Sequence, residues 1–331
     1  MKKSNLFFKK LFFAVAVFLI AAVFYGCSQK PAQEEQPPAE RFPAIVSDQP
    51  VQWKDETLKK LVYDALMRDY SEDVYPCELE NIEYLFILGD KKLNFGEKPF
   101  DCGVTEDGSG FHYKGIMKLD GTYQTVDHVF TESVSICLDD LRYFTSLRAL
   151  HIYLVNPTDL AVLEHLPALK QIFAGICDLS DLTGIDKCTD LMSAYLDYCN
   201  ISDLSPLTKI SPIHLSLKGN KLKDISPLAD MPQLPNDLIL SYNNISDISA
   251  LSPQGRRTGL GYLNLRNNNI TDISPLAEYT GIGILSLTYN KISDVSPLAG
   301  LSKQDSVIYL GGNPVENIEV LKGFYSVYTA P

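Results

Sequence analysis

The sequence lacks the marks of a catalyst. It has no G-x-S-x-G elbow, no H-E-x-x-H and no glycine loop that would cradle phosphate, and its five histidines (His112, His128, His151, His165, His214) stand at no ligand spacing. No C-x-x-C pair is present and the cysteine spacings are irregular, so neither a zinc site nor any other cofactor is expected. Positive charge is also scarce, with 29 Lys and Arg against 41 Asp and Glu and a formal net charge of −12. Such a surface repels phosphate backbones, which excludes nucleic acid as the expected partner. Long apolar runs are missing too. Leu11–Phe24 supplies fourteen apolar residues, short of the ~20 that a membrane-spanning helix needs.

What is present begins with that run. "MKKSNLFFKK" places four lysines before it, and Tyr25, Gly26 and Cys27 follow it. A basic start, a short apolar stretch and a small residue before a cut is the layout of a secretory signal. The "FYGC" end resembles a bacterial lipoprotein signal, with Phe24 where Leu is commonest; the resemblance implies that Cys27 is lipidated and becomes the new N-terminus. A plain signal peptide and an uncleaved anchor are the alternatives. Loss of residues 1–26 takes the formal charge from −12 to −16, so the lipid rather than a basic patch would hold the protein at a membrane. Residues 27–50, rich in Pro, Gln and Glu, read as a disordered tether. In residues 51–87, "KDETLKKLVYDALMRD" places Leu58, Leu61, Val62, Ala65 and Leu66 on one helical stripe with Asp55 as N-cap.

A repeat dominates the remainder. Aligned on L-x-L-x-x-N-x-I-x-D-I-x-P-L, the second Leu position is held by Ile152, Ala174, Leu196, Leu217, Leu240, Leu265, Leu287 and Leu310, at separations of 22, 22, 21, 23, 25, 22 and 23. That is the period of a leucine-rich repeat. The two Leu flank one outward residue and so share the inner face of a short strand. Asn220, Asn243, Asn268, Asn290 and Asn313 follow the strand, where an amide can satisfy leftover backbone groups. "SPL" then starts a helical turn, with Ser226, Ser274 and Ser296 read as N-caps and Pro at the first helical position. One coil cannot bury enough apolar surface to offset the entropy of ordering it, so each must stack on the next. The expected fold is an α/β solenoid: a curved array of 21–25-residue coils with parallel concave strands, short helical turns on the convex side and a helical N-terminal cap.

The "NxIxDISPL" repeats, with "WKDETLKKLVYDAL" and "CELENIEYLFI" before them, resemble the internalin-type leucine-rich repeats of bacterial surface proteins and their N-terminal cap. The resemblance covers about residues 52–321 and implies protein binding through the concave strand face. It departs in three places. Val155, Cys177 and Cys199 hold the Asn position in the first three full coils, and Asn317 replaces Asp in the last. After the first strand at Leu85 and Ile87 the template resumes only at Leu138, so residues 88–137 form an insertion, with "FHYKGIMKL" and "YQTVDHVF" alternating as a hairpin would. The repeats proper occupy 138–331.

The column Asp159, Asp181, Asp203, Asp224, Asp247, Asp272 and Asp294 invites a calcium reading, but each Asp is expected to accept a backbone N–H at its own turn. Cys177 and Cys199 stack as buried thiols rather than a disulfide, whereas Cys102 is matched with Cys77 or Cys137. Concave-face residues in the early coils are apolar and aromatic: His151, Tyr153 and Leu154; Phe173 and Ile176; Tyr195, Asp197 and Tyr198. Later coils are polar. The expected activity is binding of a protein or cell-surface ligand at His151, Tyr153, Phe173, Ile176, Tyr195, Asp197 and Tyr198, not catalysis. The other readings are an insertion folded over this patch, with binding moved to the coils around Lys218, Tyr242 and Arg266, an envelope scaffold, or a hydrolase carried by the insertion. The expected location is the bacterial envelope, outside the cytoplasm, on a lipid anchor.

Overall fold

A computed structural model describes residue 42 and residues 44–94, 102–119 and 122–330. The signal segment 1–26, the lipidation site Cys27 and most of the tether lie outside the described residues.

The cap helix α1 spans Glu56–Leu66, and the Asp55 carboxylate accepts the Leu58 N–H at its start. Its stripe is buried at Leu58, Leu61 and Val62, with Tyr63 added. Asp140, on the first turn after the insertion, accepts the N–H groups of Lys54 and Asp55 and so ties the cap to the repeats.

Strands follow in chain order: β1 Tyr84–Leu88, β2 Lys92–Asn94, β3 Cys102–Val104, β4 Phe111–Leu119, β5 Thr122–Phe130, β6 Val134–Ser135, β7 Ala149–Tyr153, β8 Val155–Asn156, β9 Gln171–Gly175, β10 Ser193–Asp197, β11 His214–Ser216, β12 Asp237–Ile239, β13 Gly259–Asn264, β14 Gly281–Ser286, β15 Val307–Tyr309 and β16 Ser326–Tyr328. β1, β7 and β9–β16 pair in parallel as successive coils, and β2 adds an antiparallel edge beside β1. The register matches the repeat: Ile87, Ile152 and Ala174 are neighbours, as are Ala174 and Leu196. The paired aliphatics line one continuous core running the length of the array. On the return side each coil makes a 3₁₀ turn, such as Ser226–Asp230 or Ser296–Gly300.

One polar column joins neighbouring coils and a second shapes the turn within each coil. Asn220, Asn243, Asn268, Asn290 and Asn313 form a ladder in which each amide bridges two coils. The Asn268 Nδ2 donates to the Leu240 and Leu265 carbonyls at 3.0 Å, and its Oδ1 accepts the Ile245 N–H at 3.0 Å. In the early coils the Cys177 and Cys199 thiols donate to the Gly175 and Asp197 carbonyls instead. On the return side all seven Asp of the second column accept a backbone N–H two residues on, at 2.8–2.9 Å. This gives the Asp its role as a turn former and corrects the reading of Ser as N-cap. Ser226, Ser274 and Ser296 are the first residues inside the 3₁₀ turns, and the carboxylate two residues earlier satisfies their N–H groups. The backbone and hydroxyl bonds of Ser226 and Ser249, and the hydroxyl and backbone bonds of Ser296, hold Asp224, Asp247 and Asp294 below the usual carboxylate range.

The six cysteines described are thiols. The expected match of Cys102 with Cys77 or Cys137 does not form. Cys102 sits on β3 against a second core formed with the insertion, while the Cys137 N–H is tied to Asp55 of the cap. Burial pushes the Cys199 thiol well up and the Cys188 thiol up to about 11.

Candidate functional site

Nine successive coils share the same backbone device at the C-terminal end of the strand. Gly89, Leu154, Ile176, Tyr198, Gly219, Tyr242, Asn267, Tyr289 and Gly312 all have φ between 49° and 73°. A left-handed residue breaks the strand's alternation and turns the following Asn or Cys inward. Such a φ is uncommon away from glycine, and for the β-branched Ile176 it is an outlier. It leaves the side chains of this column leaning across the concave face, a direction that simple strand parity does not give.

The insertion uses that face. β3, β4 and β5 form an antiparallel sheet, with Phe111 paired to Phe130 across the hairpin. Its inner surface and the first coils build a second core of Phe86, Leu88, Phe111, Tyr113, Tyr153 and Leu154. The Phe111 ring lies 4.3 Å from Tyr153 and 6.2 Å from Phe86. The turn at residues 105–110 then reaches further along the array. Tyr198 donates to the Glu106 carbonyl at 2.6 Å, and its ring is held between two glycines, Gly108 of the turn and Gly219 of the next coil. A Cβ on either glycine would overlap the ring, and both have positive φ.

The seven expected concave residues therefore meet different fates. Tyr153 is 5% exposed under Phe111, and Ile176 packs against the same core. Tyr198 clamps the insertion's turn. Asp197 accepts the Ser216 hydroxyl at 2.5 Å and the Lys218 N–H at 3.0 Å, and burial raises it above the usual carboxylate range. His151, Phe173 and Tyr195 form a column of stacked rings, at 4.3 and 4.8 Å and 3° between planes in each pair. His151 is 8% exposed, whereas Phe173 and Tyr195 are only partly buried.

Beyond Tyr195 the face becomes a ladder of rings and cations. The Lys218 ammonium lies 5.2 Å from the Tyr198 ring and 5.4 Å from Tyr242; the Arg266 guanidinium lies 5.8 Å from Tyr242 and 4.8 Å from Tyr289. Lys218, Tyr242 and Arg266 border a cavity of about 280 Å³, open to solvent and also lined by Tyr195, Asn264 and Glu106. The cations were legible as outward strand residues, but Tyr289 was not. It reaches the ladder only because its backbone is left-handed.

Fold and face together define a curved leucine-rich-repeat solenoid. The leucine-rich-repeat family model matches two copies over residues 258–300. Among solved structures, an internalin (inlF) of Listeria monocytogenes is 27% identical, with TM-score 0.60, covering 83% of this chain and 75% of that one. The internalin C2 of the same species is 20% identical, with TM-score 0.50, covering 84% and 92%. A search of curated proteins finds no match.

Proposed function

We propose that this protein is a lipid-anchored binding protein of the bacterial envelope that captures a protein partner on the concave face beside its insertion. The observation that carries the reading is the ring stack that ends in Phe173 and Tyr195. Two aromatics lie partly open at the margin of the insertion, next to a polar face. Rings of this kind dominate the energetics of protein interfaces once a partner excludes water from them. Residues 88–137 then serve as a built-in wall of the site, and residues 27–50 as the tether that holds it off the membrane.

Partner capture by crosslinking on intact cells tests the face. Replacing Phe173 and Tyr195 together by Ser is expected to lower capture by at least tenfold while the thermal midpoint moves by only a few degrees. A large loss of midpoint with no captured partner in the wild type would instead make the stack a structural support for the insertion. Anchoring is tested separately. Cys27→Ser is expected to leave an unprocessed precursor or release the protein from the membrane fraction; unchanged mass and unchanged attachment would remove the lipid anchor.

A further inference from the structure

The cavity beside the ring stack contains an unusual balance of charge. The chain is strongly acidic, yet Lys218 and Arg266 stand two coils apart, on either side of the coil that carries Tyr242, and neither forms an ion pair among the described residues. The Lys218 ammonium reaches only the Glu106 carbonyl, at 3.4 Å. The Arg266 guanidinium is sandwiched between Tyr242 and Tyr289, and its Nε is buried without a hydrogen-bond partner. The two nearby acids do not complete the set. Asp197 directs one oxygen to Ser216 and the Lys218 backbone, and the Glu106 carboxylate pairs with neither cation.

The two aromatic faces hold the guanidinium in place, and a guanidinium so held is a rigid fork that fits a planar carboxylate in two parallel hydrogen bonds. A cavity of about 280 Å³ admits one side chain rather than a polymer, and the acidic surface around it opposes a polyanion.

We infer that the cavity between Tyr195, Lys218, Tyr242 and Arg266 is a receptor for a single carboxylate, the Asp or Glu side chain of a protein partner. Arg266 takes the carboxylate as the fork, Lys218 adds a second charge, and Tyr242 forms the floor between them. This deepens the concave-face reading and rests on it only for the source of the carboxylate, a protein.

The probe is the blocked tripeptide Ac-Ala-Glu-Ala-amide, titrated calorimetrically into the full chain, with the Gln counterpart and inorganic phosphate as parallel arms. Saturable binding of the Glu peptide is expected, at least tenfold tighter than the Gln peptide and tighter than phosphate. Arg266→Gln should weaken the Glu peptide at least tenfold, and Arg266→Lys should retain charge yet lose the preference for carboxylate over phosphate. Unchanged thermal midpoints in both variants separate lost recognition from lost folding. Equal binding of Glu and Gln peptides, equal or tighter binding of phosphate, or an Arg266→Gln chain that binds as the wild type does would each overturn the assignment. Because the probe is small, its failure leaves partner capture by Phe173 and Tyr195 standing, and loss of that capture leaves the peptide titration standing.

Discussion

Asn268→Ala is expected to destabilise the solenoid by about 3–5 kcal/mol. The side chain is 8% exposed and serves three buried backbone groups at once: the Leu240 carbonyl of the preceding coil, the Leu265 carbonyl of its own, and the Ile245 N–H. Alanine leaves all three without this partner in a dry interior, and each such group costs about 1–3 kcal/mol. The low end of the sum applies because one coil can relax enough to let water reach part of the site. Location matters as much as size. In a stacked array each coil contacts only its neighbours, so the loss falls on one junction. Urea unfolding should shift to a lower midpoint, and amide exchange should rise first from about Ile245 to Ile270. An unshifted midpoint, or exchange that rises evenly along the chain, would remove the ladder as the element joining the coils. The Cys coils offer an internal contrast: a thiol is a weak donor with no amide acceptor, so Cys177→Ala should cost clearly less than Asn268→Ala.

Phe111→Ala is expected to release the insertion from the concave face at a cost of about 3–5 kcal/mol. Phe111 is fully buried and is the ring that touches both Phe86 and Tyr153. Without it the second core loses its centre, and residues 102–130 are left with the weaker hold of Tyr113, bonded to Lys92, and of the turn at Tyr198 and Lys218. Limited proteolysis should then cut within 102–130 while the coils around Leu265 and Leu287 stay intact. The exposed apolar floor of Phe86, Leu88 and Tyr153 should bind a hydrophobic dye. If the whole chain melts in one step, the insertion and the solenoid form one cooperative unit and the insertion is a structural element rather than a separable wall.

The array itself was legible before any coordinates. Hydrophobic spacing identifies the inward residues, and because a 22-residue coil cannot stand alone, the period also dictates that coils stack in parallel register. The Asn ladder and the Asp turns follow from the same logic, since each residue type answers a backbone need that recurs at a known place. What the sequence could not settle was which outward residues remain open. Tyr153 and Phe173 occupy neighbouring coils and look equivalent as outward aromatics, yet one lies beneath Phe111 and the other beside it. That difference comes from the docking of Phe111 of the insertion on Phe86 and Tyr153 of the first coils, a non-local packing outcome that periodicity does not encode. The same holds for the cation ladder. Lys218 and Arg266 could be placed on the outer face by strand parity, but Tyr198, Tyr242 and Tyr289 reach them through left-handed backbone turns repeated coil after coil, and only the tertiary structure shows the rings and charges in alternation. Local periodicity determined the scaffold, because burial of regularly spaced apolar groups is a local rule summed over coils. The site was decided by tertiary structure, because it depends on which surfaces the insertion covers and how the backbone turns at the strand ends.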